Sequence, residues 1–179
     1  MWGGSVSQKE LITKLQAARR QLVVATQLYF RDSDAVAIHT LVAASYNIIR
    51  DLSKHQGAQD MAVKDFFLTT ISPSKQKQVA NWLNSFENFF KHANHDPNGE
   101  IELNSEITEL MLIDAWAQYE KLSGDLPEVG KVLKIWTGKF KSNTPEEVKW
   151  LASLFKGLSK QQLYEVFREA MRLTGRGER

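Results

Sequence analysis

Cysteine is absent from this chain of 179 residues. That removes disulfides, thiolate metal sites and cysteine nucleophiles together, and it is compatible with a reducing compartment. Proline is scarce, with four in all, and Pro73, Pro97, Pro127 and Pro145 each fall where a turn or a helix start is expected. No apolar run approaches the roughly 18 to 20 residues needed to cross a bilayer, because Lys, Arg, Asp or Glu interrupts every candidate. Met1-Trp2-Gly3-Gly4-Ser5 carries no basic stretch leading into an apolar core, so no secretory signal is read, and a soluble, cytoplasmic protein without membrane association is expected. Nucleophile elbow, P-loop and dinucleotide fingerprint are all missing. The formal net charge of +2 is too small to imply nucleic acid by itself. Lysine does gather locally, as Lys131, Lys134, Lys139 and Lys141 without an acid among them.

Apolar spacing is helical almost throughout. From Gln8 to about Phe30 one stripe runs through Leu11, Leu15, Ala18, Leu22, Ala25 and Tyr29. Arg31-Asp32-Ser33-Asp34 supplies turn and N-cap chemistry. A second helix follows to about Gln56 with the stripe Ile38, Leu41, Val42, Ser45, Ile48, Ile49 and Leu52, and Gly57 stands where a left-handed C-terminal cap is wanted. Residues 58 to 71 fit either a short helix or a buried irregular piece.

Ser72-Pro73 marks the next start, and the helix to about Ala93 carries Val79, Trp82, Leu83, Phe86, Phe90 and Ala93, a stripe expected to be core. Asp96-Pro97-Asn98-Gly99 is a turn signal, and Glu100-Ile101-Glu102-Leu103 alternates briefly in strand fashion. A further helix from about Ser105 to Leu122 is apolar on most sides and expected to be deeply buried. Asp114 interrupts it, and a buried carboxylate there must find a partner. Shorter helices are expected around 128 to 140, 145 to 155 and 160 to 173.

These elements predict an all-α protein: an antiparallel up-and-down helical bundle over residues 1–124, with a short C-terminal helical extension over 125–179 packed on it and a frayed tail at 175–179.

Chemistry-bearing residues collect at two helix ends. Arg50-Asp51-Leu52-Ser53-Lys54-His55 closes the second helix. Asp51 and His55 are four apart, so the carboxylate can orient the imidazole, and Arg50 and Lys54 share a face as a pair of cations suited to an anion. Arg50 and His55, five apart, point about 140° away from each other on a straight helix. Their convergence needs a loosened helix end or a second copy of the chain. Lys91-His92-Ala93-Asn94-His95-Asp96 closes the third helix, and His39 lies on the face of the second helix that leads to Arg50. The plainer account is that His55 and His92 complement free carbonyls in a last helical turn, and that His39 is a satisfied histidine bonded to a neighbouring helix.

Asn94, Asp96, Asn98, Gly99 and Ile101 follow a calcium loop until the twelfth position, which is Ser105; the bidentate carboxylate is missing. A transition metal on His92, His95 and Asp96 lacks any supporting spacing.

An arginine, a polar residue directly after it and a histidine within four to six positions, at a helix end in an all-helical domain, resembles the motif of the HEPN superfamily, here Arg50, Asp51 and His55. The resemblance covers about residues 8 to 123. It implies a four-helix up-and-down core, homodimerisation and, in active members, cofactor-free and metal-independent RNA cleavage at a site built across the dimer. By that resemblance His55 assists proton transfer at the ribose 2′-hydroxyl or the leaving oxygen, Arg50 stabilises phosphate charge and Asp51 orients, with Lys54, Lys91, His92 and His39 as substrate-binding candidates. Two rival readings stand beside it: a non-catalytic helical interaction or regulatory module, and a metal or small-ligand site at the Lys91 to Asp96 cluster.

Overall fold

The computed structural model describes residues 9–57, 62–66, 72–94, 96–138, 153, 155 and 157–173. It is all-helical, with six α-helices and one π-helical turn among the described residues: α1 (Lys14–Phe30), α2 (Ala35–His55), the π turn (Ala62–Phe66), α3 (Pro73–Lys91), α4 (Ser105–Ser123), α5 (Glu128–Thr137) and α6 (Lys160–Leu173). No described residue is in a strand, and Glu100–Leu103 is irregular. Four residues are too few for alternation to create a strand when no partner edge lies beside them.

Local chemistry fixes where most of these helices begin and end. The first starts six residues later than its apolar spacing suggests, because Thr13 and Gln16 form a reciprocal capping box there. Leu11 is left outside the helix and 98% exposed. Asp34 caps α2 by accepting from the Ala37 N–H at 2.8 Å, and Asn104 does the same for α4 through the Glu106 N–H at 2.9 Å. Gly57, expected to stop the second helix, adopts a positive φ of 66°, and Gly124 after α4 does the same at 71°.

Short connections of four residues join α1 to α2 and α4 to α5, which sets each pair antiparallel. Helices α1, α2 and α4 pack together as the centre of the molecule. Ala18, Leu22, Ala25 and Phe30 of α1 meet Val42, Ala43, Tyr46 and Ile49 of α2, and Met111, Leu112, Ala115 and Trp116 of α4. Two polar groups in this centre form a chain: the Trp116 indole N–H donates to Thr26 at 2.8 Å, and the Thr26 hydroxyl donates to the Leu22 carbonyl at 2.7 Å.

The core continues without a break past residue 124. Leu126, Val129, Val132 and Leu133 around α5, and Leu163 and Tyr164 of α6, belong to the same cluster, and Tyr164 stacks on Phe30 with ring centroids 5.3 Å apart. Gly130 makes the α4–α5 contact close, because a Cβ there would come within 2.7 Å of Leu126 and 3.2 Å of Trp116. The helix expected at 145–155 lies largely outside the described residues, as do His95, Phe140, Trp150 and the tail at 174–179.

The aromatic stripe of α3 is only partly core. Leu83 and Phe86 are buried, whereas Trp82 is 44% and Phe89 37% exposed. The reason is that α3 packs mainly along α2 alone, so one narrow face is covered and the neighbouring positions are left outside.

Candidate functional site

The π turn is the point where the polar groups of the molecule converge. A five-residue helical turn has free N–H groups at its start, and two long-range side chains satisfy them. Asp114 Oδ2 accepts from the Val63 N–H at 3.0 Å, and the Tyr46 hydroxyl accepts from the Lys64 N–H at 3.0 Å. Tyr46 in turn donates to Asp114 Oδ2 at 2.7 Å. Asp114 therefore has the partners that its place in an apolar helix demanded. Burial, with Asp114 beside it, drives the Tyr46 phenol well above its ordinary range.

Lys64 points from this turn into the seam between α2 and α3, with its side chain only 7% exposed. Its ammonium donates to Asn47 Oδ1 and Asn84 Oδ1 at 3.0 Å each and to Glu87 Oε2 at 3.4 Å. Those contacts use all three ammonium donors. Burial pulls its pKa below the usual lysine value, opposed by Glu87. Glu87 also accepts from Asn47 Nδ2 at 2.8 Å and from Lys91 at 2.6 Å. Although burial works to raise it, the bonds from Lys91 and Asn47 hold this carboxyl below the ordinary range.

On the other side of the turn Asp65 receives the end of α2. Arg50 donates from Nε at 2.9 Å and Nη2 at 2.5 Å, and Lys54 from Nζ at 3.1 Å. Arg50 and Lys54 thus share a face, as their spacing requires, and both close on one carboxylate that is 8% exposed. Burial opposes ionisation of Asp65, and the hydrogen bonds from Arg50 and Lys54 outweigh it. Asp51 adds only the smallest of the attractions felt by Arg50.

Helix α2 is regular to His55. The angle of about 140° between Arg50 and His55 therefore persists, and the two do not converge within one copy. Asp51 and His55 are both exposed, and among the described residues no hydrogen bond joins them.

His39 does not face solvent. It is 1% exposed, shares a 2.8 Å hydrogen bond between Nδ1 and Thr108 Oγ1, and lies edge-on to Phe86 and Phe90 at centroid distances of 5.7 and 5.6 Å. The expectation that it contacts a substrate meets a buried side chain here, because α3 covers this part of α2 with aromatic rings. Burial, opposed by Glu87, holds its imidazole down at about 4.

Because Phe90 sits against His39 while Asn84 shares Lys64 with Asn47, α3 runs toward the beginning of α2. His92 therefore belongs to the other end of the seam from Arg50, Lys54 and His55, whereas the Lys91 ammonium reaches back to Glu87 in its middle. His92, Asn88, Phe89, Ser85, Asn94 and Asp96 line a separate open cleft of about 530 Å³. Among the described residues no group of three His, Cys, Asp or Glu side chains is placed to hold a metal.

Sequence reasoning missed Lys64, Asp65, Asn47, Asn84, Glu87 and Tyr46 as members of the site. Asp114 was the one legible signal, since its position announced a buried partner without naming it. Comparison of the chain with protein-family models, with curated proteins and with solved structures gives no match in any of the three.

Proposed function

We propose that this is a HEPN-like helical protein that binds RNA at the C-terminal end of α2, with Arg50 and Lys54 taking a backbone phosphate. One observation carries the reading: two cations close on the single carboxylate of Asp65, leaving one positive charge in excess. Both cations also reach solvent, with side chains 30% and 46% exposed. Asp65 orients the guanidinium through Nε and Nη2, which leaves Nη1 directed away from the carboxylate as a donor for phosphate oxygen. Holding a long side chain in place beforehand lowers the entropy lost on binding.

RNA cleavage would need His55 as the proton-transfer group. Since His55 of the same copy points away from Arg50, the histidine opposite a bound phosphate would come from a second copy of the chain. The test is binding and cleavage of single-stranded RNA in EDTA. Arg50→Gln with Lys54→Gln is expected to weaken binding about ten-fold or more, since phosphate contacts supply most of non-specific affinity. His55→Ala should abolish cleavage and leave binding nearly unchanged. RNA affinity equal in all variants would overturn the reading.

A second reading, a non-catalytic helical module, is favoured by the same Arg50–Asp65 contact seen as a fastener of the π turn to α2. It predicts a lower melting temperature for Arg50→Gln and no RNA binding by the unaltered protein.

A further inference from the structure

The two sides of α3 use their polar residues differently. On the inner side Asn84 and Glu87 are committed to Lys64, Asn47 and Lys91. One step around the helix Asn88 faces the open cleft, and His92, the extended residue that follows the helix, lines it together with Phe89, Asn94 and Asp96. Among the described residues, no side-chain hydrogen bond occupies Asn88, His92, Asn94 or Asp96. Phe89 is 37% exposed and is held edge-on by Phe90, with centroids 5.9 Å apart. Phe90 is itself fixed against His39. The phenyl ring is therefore a supported platform with an open face. Two carboxamides, an imidazole and a carboxylate surround it.

Gly99 leaves the carboxylate room where it lies. Its N–H donates to the Asp96 carbonyl at 3.2 Å to close the turn, and a Cβ on it would collide with the Asp96 carboxylate. A side chain at this position would displace Asp96 from the cleft.

We infer that this cleft takes an unpaired purine base, guanine by preference, stacked on Phe89 and read at its edge by Asp96 and the neighbouring carboxamides. Unpaired bases are recognised by stacking on aromatic side chains and by hydrogen bonds to their Watson–Crick edges. Guanine presents two donors, N1–H and the exocyclic amine, next to the O6 acceptor. A carboxylate accepts the pair of donors, and an Asn Nδ2 donates to O6. Adenine offers an acceptor at N1 and would set it against Asp96. The cleft sets a single aromatic ring among several polar side chains, which suits a planar ligand that is polar at its edge. The inference rests on the RNA reading for its biological ligand, yet the site can be examined apart from it, because it lies at the other end of the α2–α3 seam from Arg50 and Lys54.

The experiment titrates the whole chain with guanosine and with adenosine, neither of which carries a phosphate, and follows binding by ligand-observed NMR. Guanosine is expected to bind more tightly than adenosine. Phe89→Ala should weaken it about ten-fold, in keeping with the loss of one base–aromatic stack. Asp96→Asn should weaken guanosine and relieve the repulsion of adenine N1, and so remove the preference for guanosine. Both residues are exposed, and a thermal melt of each variant confirms that the fold is retained. Equal binding of the two nucleosides, an undiminished affinity in Phe89→Ala, or no binding of either overturns the inference. Oligouridine RNA, tested in parallel against Arg50→Gln with Lys54→Gln, separates the two proposals. Guanosine bound without any RNA affinity leaves the cleft standing and removes the RNA reading. RNA bound with no base preference and no effect of Phe89→Ala does the reverse.

Discussion

Replacing Lys64 by alanine is expected to lower the unfolding free energy by about 3–5 kcal/mol, the range found when one partner of a buried ion pair is removed. The size follows from where the ammonium sits. Its side chain is 7% exposed and its three donors are taken by Asn47, Asn84 and Glu87. Deleting it leaves two carboxamide oxygens without a donor and a half-buried carboxylate with Lys91 as its remaining cation. In a chain of this size the melting temperature should fall on the order of 10 °C. Chemical denaturation of Lys64→Met, of Glu87→Gln and of the two together checks the mechanism. The pair of changes removes both charges together and should be clearly less harmful than their separate effects added, which a double-mutant cycle reads directly. Strict additivity would mean that Lys64 and Glu87 do not act on each other.

Acid should weaken the fold well before the carboxylates are titrated. His39 is held down at about 4 by burial, with Glu87 opposing and Lys64 adding to the effect, against about 6.5 in the unfolded chain. Between those values the unfolded state binds a proton that the folded state does not, so stability rises with pH across that window. As pH falls from 7 to 4.5 the loss from this one group should be about 2–3 kcal/mol. Asp65 and Glu87 have folded values below their ordinary ones, so stability from them is lost only as pH drops through the carboxylate range and below. Urea unfolding at several pH values, in the unaltered chain and in His39→Gln, isolates the contribution. The slope from pH 6.5 to 4.5 should flatten in the variant. A slope that His39→Gln leaves intact would assign the acid sensitivity to other groups.

Most of the helices could be read in the residues because their causes are local. The stripe of α2, the Asp34 cap and the left-handed Gly57 and Gly124 each depend on a few neighbours in the chain. Errors arose where a distant element decided the matter. Trp82 has the spacing of a core residue and lies 44% exposed, because among the described residues no second helix covers that side of α3. The π turn has five residues, too few for any period, and its order comes from Tyr46, Asp114, Asn84 and Glu87. Lys64 has the chemistry of an ordinary surface lysine until these partners are assembled around it. At the proposed site the Arg50 and Lys54 pairing was legible from helical spacing. Asp65, fifteen positions from Arg50, was not, since only the fold brings the two together. The same holds for the cleft at Phe89, where Asn88 comes from a helix, His92 from the extended residue after it and Asp96 from the turn beyond.

The salt dependence of RNA affinity tests the central claim most directly. Counterion release makes the logarithm of the binding constant fall linearly with the logarithm of salt concentration, by about 0.7 for each phosphate neutralised on a single strand. If Arg50 and Lys54 together neutralise one phosphate, the double variant Arg50→Gln with Lys54→Gln should bind more weakly and show a slope shallower by about 0.7. An unaltered slope, with the variant still folded, would contradict the assignment of the end of α2 as the RNA-binding surface.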